Sequence, residues 1–146
     1  MKDNDQGVSD SERVTEFFDS HVGEYEAKHY AAEARTFMTV RQERVLQLVD
    51  ALDLPRGTHV LDAGCGPGYL VEALARRGLQ VYGIDAAAGM ILSAKSRLEA
   101  AVPEFPASFE QGSVEKLPYG DGSFDLVCST GVIEYLKDDA TILGEM

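Results

Sequence analysis

The sequence predicts an α/β protein built on a doubly wound parallel sheet, and three observations carry that expectation. After Gly57, short β-rich apolar runs alternate with helical stretches through four cycles, the pattern that parallel strands joined by right-handed crossovers produce. The first run ends in three closely spaced glycines, Gly64, Gly66 and Gly68, which lead straight into helical spacing. The length, 146 residues, is that of about one domain.

Residues 1 to about 11 are polar and rich in Asp and Ser, without a periodic apolar face, and read as a frayed lead-in. A first helix follows, with Val14, Phe17, Phe18, His21, Val22 and Tyr25 recurring at three- and four-residue steps and Ser9 or Ser11 as its cap. A second is expected from about Glu33 to Leu52, with Phe37, Val40, Arg44, Val45, Leu48, Val49 and Leu52 on one face. It stops before Pro55-Arg56-Gly57. These two helices form a segment of their own, residues 1–55, ahead of an α/β segment over 56–146.

In the α/β segment Thr58–Ala63 is the first strand and Tyr69–Arg77 its helix, with Leu70, Val71 and Leu74 spaced to face inward. Leu79–Ile84 is the second strand, and Ala86–Ala101 the second helix, with Met90, Ile91, Ala94 and Leu98 inward. Ala107–Gln111 is a short third strand, and Ser123–Ser129 a fourth followed by helical spacing from Val132 onward. No repeat at a fixed period and no low-complexity tract interrupts this order.

Composition narrows the function. Thirteen Lys and Arg against 25 Asp and Glu leave a net charge of −12, which repels phosphate backbones and anionic membrane surfaces, so neither nucleic acid nor membrane is expected as a partner. With 45% apolar and 26% charged residues, the chain has the composition of a folded globular protein rather than a disordered one. No apolar run approaches a membrane span, and Met1-Lys2-Asp3-Asn4-Asp5-Gln6 lacks the apolar core of a signal peptide. A soluble, cytoplasmic protein is the expectation. Cys65 and Cys128 fit no metal spacing and are too sparse for a disulfide framework, so they read as reduced, partly buried thiols.

The chemistry is expected at the end of the first strand, in Val60-Leu61-Asp62-Ala63-Gly64-Cys65-Gly66-Pro67-Gly68-Tyr69. The glycines permit a sharp strand-to-helix turn and the close approach of a nucleotide-like ligand. A dinucleotide fingerprint, and with it an NAD-dependent oxidoreductase, is the competing reading, but that pattern wants Gly or Ala where Tyr69 stands. Asp62 discriminates further: beside a pyrophosphate it is repulsive by a few kcal/mol at an effective dielectric of about 20, and beside a cation it is attractive. S-adenosylmethionine carries an ammonium and a sulfonium and no phosphate. Asp85, ending the second strand, is placed to accept from ribose hydroxyls, which suits either ligand.

These residues resemble the class I S-adenosylmethionine-dependent methyltransferases, with their Rossmann-like fold. Val60–Gly68 resembles the family's first motif. Gly83-Ile84-Asp85 followed by Met90-Ile91 resembles its second-strand acid and helix. Gly112–Tyr119 with Asp121–Val127 resembles the loop and fourth strand of small-molecule enzymes of the ubiquinone/menaquinone-biosynthesis type. The likeness runs from about Thr58 to Leu136 and implies a sheet of order 3-2-1-4 preceded by two lid helices. It implies that Asp62, Ala63, Gly64, Cys65, Gly66 and Gly68 hold the methionine part of the cofactor. Asp85 would bind the ribose, Ala86 and Met90 would pack by the adenine, and Gly112-Ser113-Val114 would close over it. Ser113 stands where the family commonly has an acid and would accept more weakly from the adenine amino group. Thr130 and Gly131 would lie below the methionine part, facing the acceptor.

The N-terminal helices resemble the family's lid. Tyr25 and Tyr30 would reach the cofactor carboxylate or the substrate, unless they are core aromatics of packing helices. Glu134, His21 and His29 are available as a general base, and no motif singles one out as catalytic. The implied activity is methyl transfer to a small-molecule acceptor, with a non-catalytic S-adenosylmethionine-binding module as the alternative. The resemblance also implies three further strands, so the chain is expected to be a C-terminally incomplete form of a longer enzyme. Its fourth strand would be an unprotected edge open to pairing with a second copy, and its last helix frayed or packed on a neighbour.

Overall fold

In the computed structural model the described residues are 9–31, 35–104, 107–136 and 138–146. The expected lead-in up to residue 8 and the expected helix start at Glu33 lie outside them. Four parallel strands, β1 (His59–Ala63), β2 (Gln80–Asp85), β3 (Ala107–Gln111) and β4 (Leu126–Cys128), form one sheet in the order β3-β2-β1-β4. The fold class and strand order are those expected.

The N-terminal segment departs from expectation. It holds three helices, not two: α1 (Asp10–Ser20), α2 (Val22–His29) and α3 (Phe37–Ala51). Ser9 caps α1 in a reciprocal capping box with Glu12. The continuous apolar stripe breaks at His21, which leaves the helical region at φ −120° and starts α2 in a new direction. Thr36 caps α3 and accepts from the Thr39 amide, so that helix starts later than its apolar spacing suggests. Its inward residues are Val45, Leu46 and Val49, whereas Phe37 is 72% and Leu48 56% exposed. The expected apolar face thus turns largely outward.

Period-two alternation along β1 sorts the core into two layers. Val60 points to the face covered by α3, α4 (Tyr69–Ala75) and α5 (Ala88–Ala101), where Leu74, Val71, Val81, Ile91 and Leu98 pack. Met90, Ile91, Ala94 and Leu98 are all buried, as their spacing requires. Leu61 and Ala63 point to the opposite face, where Ile84, Val114 and Ile142 close a second layer. Ile142 belongs to α6 (Asp139–Glu145), is fully buried, and shares its helix with Glu145, whose carboxylate accepts from the Leu117 amide at 2.7 Å. The last helix is therefore packed on the sheet of its own chain rather than frayed. Between β4 and α6 a 3-10 turn, Ile133–Tyr135, replaces the expected onset of helix at Val132.

β4 is shorter than its apolar run. Ser123 donates to the Gly120 carbonyl in a turn, and Asp125 bridges to His59 by accepting from its amide at 2.9 Å and donating its own amide to its carbonyl. Only Leu126–Cys128 then pair with β1, and β4 lies at the sheet edge.

Candidate functional site

Asp62 is a carboxylate on a strand face otherwise reserved for apolar groups. It alternates with Leu61 and Ala63, so it shares the helix-covered face with Val60, beside Gly83 of β2 and Cys128 of β4. It is 1% exposed, and its Oδ1 is buried with no hydrogen-bond partner. Burial, with the charge of Asp85 added, weakens it as an acid and pushes its pKa up to about 7. A half-ionised, unpartnered buried carboxylate is costly unless a donor or cation reaches it. Among the described residues lining the small cleft it faces, Cys65, Pro67, Leu70, Met38, Gln42, Tyr25, Tyr30 and Thr130, none is a cation and none hydrogen-bonds its Oδ1. A ligand ammonium fits this place.

The glycine loop is built from backbone bonds. The Gly64 and Cys65 amides both donate to the Ile84 carbonyl, at 2.8 and 3.0 Å, binding the loop to the end of β2. Asp85 accepts from the Gly66 amide through Oδ2 and from the Ala87 amide through Oδ1, each at 2.9 Å. Burial raises its pKa while these two amides oppose the rise. Each oxygen retains a lone pair for a hydroxyl donor. Gly64, Gly66 and Gly68 all have positive φ. A Cβ on Gly64 would overlap Val132, and one on Gly68 would meet Ala94 of α5 at 2.8 Å. Gly68 therefore serves the close packing of α4 on α5.

A cavity of about 420 Å³ opens beside this loop, within the ordinary size range of small-molecule sites. Tyr25, Gly64, Gly66, Asp85, Ala86, Met90, Ser113, Val114, Thr130 and Gly131 line it, ten of the expected site residues. Tyr30, Asp62 and Cys65 line the adjoining small cleft, which shares Tyr25, Gly64, Gly66 and Thr130 with the cavity. Ala63, Gly68 and Gly112 line neither: Ala63 is buried on the opposite sheet face, and Gly112 packs against Ile84. Ser113 Oγ accepts from the Glu115 amide at 3.1 Å, which uses part of its capacity to bind a ligand.

Sequence reasoning expected the N-terminal helices beside the site and named Tyr25, but missed most of the other residues on that side of the cavity. Ser11, Thr15, Phe18 and Glu16 of α1 face it, as do Tyr135 and Leu136. Helical periodicity marks these as one apolar face with polar neighbours, without showing that the face overhangs a cavity. The lid is tied down by α2. Glu26 pairs with Arg97 of α5 at 2.6 Å and accepts from Ser93 at 3.1 Å. Arg97 also donates to the Pro67 carbonyl and lies 3.4 Å over the Tyr69 ring, which stacks on Tyr30 at 3.8 Å. Tyr30 is thus held by stacking, and burial pushes its hydroxyl far above the ordinary range. Both cysteines are free and buried, and burial makes both thiols weaker acids than an ordinary cysteine. Of the groups available as a base, Glu134 pairs with Arg41 at 3.8 Å, and His21 and His29 lie away from the loop in a second cavity. No described helix is long and apolar enough to cross a membrane.

Comparison with known proteins agrees with this geometry. Residues 61–146 match the methyltransferase domain family. A ubiquinone biosynthesis O-methyltransferase of Azorhizobium caulinodans is 37% identical over 94 residues, which is 62% of this chain and 36% of that protein. Ajmaline N-methyltransferase of Rauvolfia serpentina is 28% identical across 95% of this chain and 54% of its own length. The chain thus spans little more than a third to about half of these relatives. The magnesium protoporphyrin IX methyltransferase of Synechocystis, solved with bound S-adenosylmethionine, superposes with a TM-score of 0.81 over 96% of this chain and 71% of that one, at 22% identity, and so shares the fold. Sheet order, glycine loop and family match together place the chain in the class I S-adenosylmethionine-dependent methyltransferases.

Proposed function

We propose that this chain binds S-adenosylmethionine and serves methyl transfer to a small-molecule acceptor, as the cofactor-binding part of a methyltransferase. The single observation that carries this reading is the buried, unpartnered Asp62 carboxylate beside the glycine loop. When bound, S-adenosylmethionine supplies an activated methyl group on a sulfonium that leaves as a neutral thioether. Asp62 pairs with its ammonium, Asp85 accepts from its ribose hydroxyls, and Met90, Ala86, Ser113 and Val114 form the adenine wall. Thr130, Gly131 and Tyr25 border the space between cofactor and acceptor. The protein's part in the reaction is alignment in a water-poor cavity, an effect worth about 7–11 kcal/mol at near-attack geometry. An acceptor that must lose a proton releases it to solvent.

Several further readings stand with this one. The helices before about residue 55 act as a lid on an α/β segment over 56–146, supported by the Glu26–Arg97 latch. β4 offers its free edge to a further strand or to a second copy. The acidic balance favours a cytoplasmic protein without nucleic-acid partners. A non-catalytic cofactor-binding module is the second reading. Calorimetric titration with S-adenosylhomocysteine tests the central reading: binding in the wild type and its loss in Asp62→Asn is expected, and equal binding by both would overturn it. Turnover over an acceptor panel then separates enzyme from module.

A further inference from the structure

A second cavity, also of about 420 Å³, lies between α1, α2 and the 3-10 turn, and adjoins the first along Val14, Phe18, Tyr25 and Tyr135. The two chambers carry opposite charge. Every ionisable side chain bordering the first, apart from its tyrosines, is an acid: Glu12, Glu16, Asp85 and Glu115. The second is bordered by Arg13, Lys28, His21 and His29, with Glu24 its one acid. In a chain of net charge −12 such a grouping of cations is a local reversal of sign. The remaining surface is aromatic. Phe18 meets Tyr25 and Tyr135 edge to face at 5.6 and 5.3 Å, and the exposed Phe17 ring stacks on His21 at 4.5 Å. Since the Phe17 carbonyl accepts only, His21 donates to it through Nδ1 at 2.8 Å, which leaves Nε2 for a ligand.

We propose that this second chamber holds the methyl acceptor, and that the acceptor is a flat apolar molecule bearing an anionic group. The inference rests on the cofactor reading of the first chamber and adds the class of substrate. Aromatic faces suit a planar body, the cationic rim suits its acidic group, and the acidic first chamber repels it. The same sign difference keeps a cationic cofactor out of the second chamber. Charge thus sorts two ligands into adjoining spaces that meet at Tyr25 and Tyr135.

The test uses the full chain and two fluorescent probes of the same shape, 2-naphthoate and its neutral amide, 2-naphthamide, titrated with and without saturating S-adenosylhomocysteine. The expected result is that naphthoate binds about five- to tenfold tighter than naphthamide, the preference that two exposed cations supply. In the double variant Arg13→Gln, Lys28→Gln the preference should vanish while S-adenosylhomocysteine affinity stays unchanged. Both side chains are exposed, so the variant should keep the wild-type circular dichroism. Equal binding of the two probes, or a preference that survives the double variant, overturns the proposal. Failure of S-adenosylhomocysteine to bind removes the cofactor reading instead, and the titration without it still reads the charge preference of the chamber.

Discussion

The glycine loop and the lid border the same cavity but are held by different forces. The loop is fixed through its own amides, which donate to the Ile84 carbonyl and the Asp85 carboxylate, and sits between strands paired on both sides. The lid helices α1 and α2 contain no fully buried residue and are held by side chains: the Glu26–Arg97 pair, the Ser93 bond and the aromatic stack through Tyr30. Segments with few buried apolar groups open at a free energy well below that of global unfolding. The comparison teaches that the cavity has one wall fixed in the sheet and one wall held only by side chains, and the proposed exchange of ligands runs through the second.

The largest expected effect breaks the fixed wall chemically without moving it. Asp62→Asn keeps the shape but removes the charge, and S-adenosylhomocysteine affinity should fall by on the order of a hundredfold, the scale of a buried charge pair losing one partner. Calorimetry measures it. The ligand-free variant should be more stable than the wild type at pH 8, because an unpartnered carboxylate is no longer buried. The pH dependence has a definite sign. Asp62 holds its proton up to about pH 7 in the folded chain, against an ordinary value of 3.8. Its stabilising share is therefore complete below about pH 4 and lost as pH rises through about 7. Thermal melts of wild type and Asp62→Asn across that window should converge at low pH and separate at high pH.

Next in size, Gly64→Ala strikes the fixed wall sterically. Its φ of +81° and the overlap of a Cβ with Val132 should destabilise the fold by about 3 kcal/mol, read by urea denaturation. Arg97→Gln strikes the wall held by side chains. Its ion pair is about a quarter exposed, so global stability should fall by only about 1 kcal/mol, while amide exchange in α1 and α2 accelerates and the sheet stays protected. Equal acceleration in β1 would show that lid and sheet open as one unit. Smallest is Phe37→Ser on the outward face of α3, expected to change stability by less than about 0.5 kcal/mol.

The α/β segment up to β3 was legible in the sequence because its strands and helices are packed by the rule that predicts them, whereas beyond it the turn at Ser123 and the 3-10 turn after β4 shorten what apolar spacing suggests. β3 runs over the predicted residues, and the inward face of α5 is the one its spacing marks. The lid was less legible because apolar periodicity continues through a break: Phe17, Phe18, Val22 and Tyr25 keep helical spacing although His21 turns the chain. On α3 two apolar stripes compete, and spacing alone does not tell which one meets the sheet. At the site, Asp62 and Asp85 were legible because a carboxylate ending an apolar strand is conspicuous. The contributions of Ser11, Thr15 and Tyr135 were not, since they depend on how the lid docks.

The Asp62 carboxylate has a consequence for turnover. In the proposed reading the ammonium it pairs with is the same before and after the methyl group has left, so its attraction would act equally on fresh donor, transition state and spent thioether. Binding of that uniform kind lowers the concentration at which the protein fills, but it does not lower the barrier. On the same proposal it would also slow the departure of product, so that inhibition by S-adenosylhomocysteine would be built into the first strand and its relief would fall to the helices over the cavity.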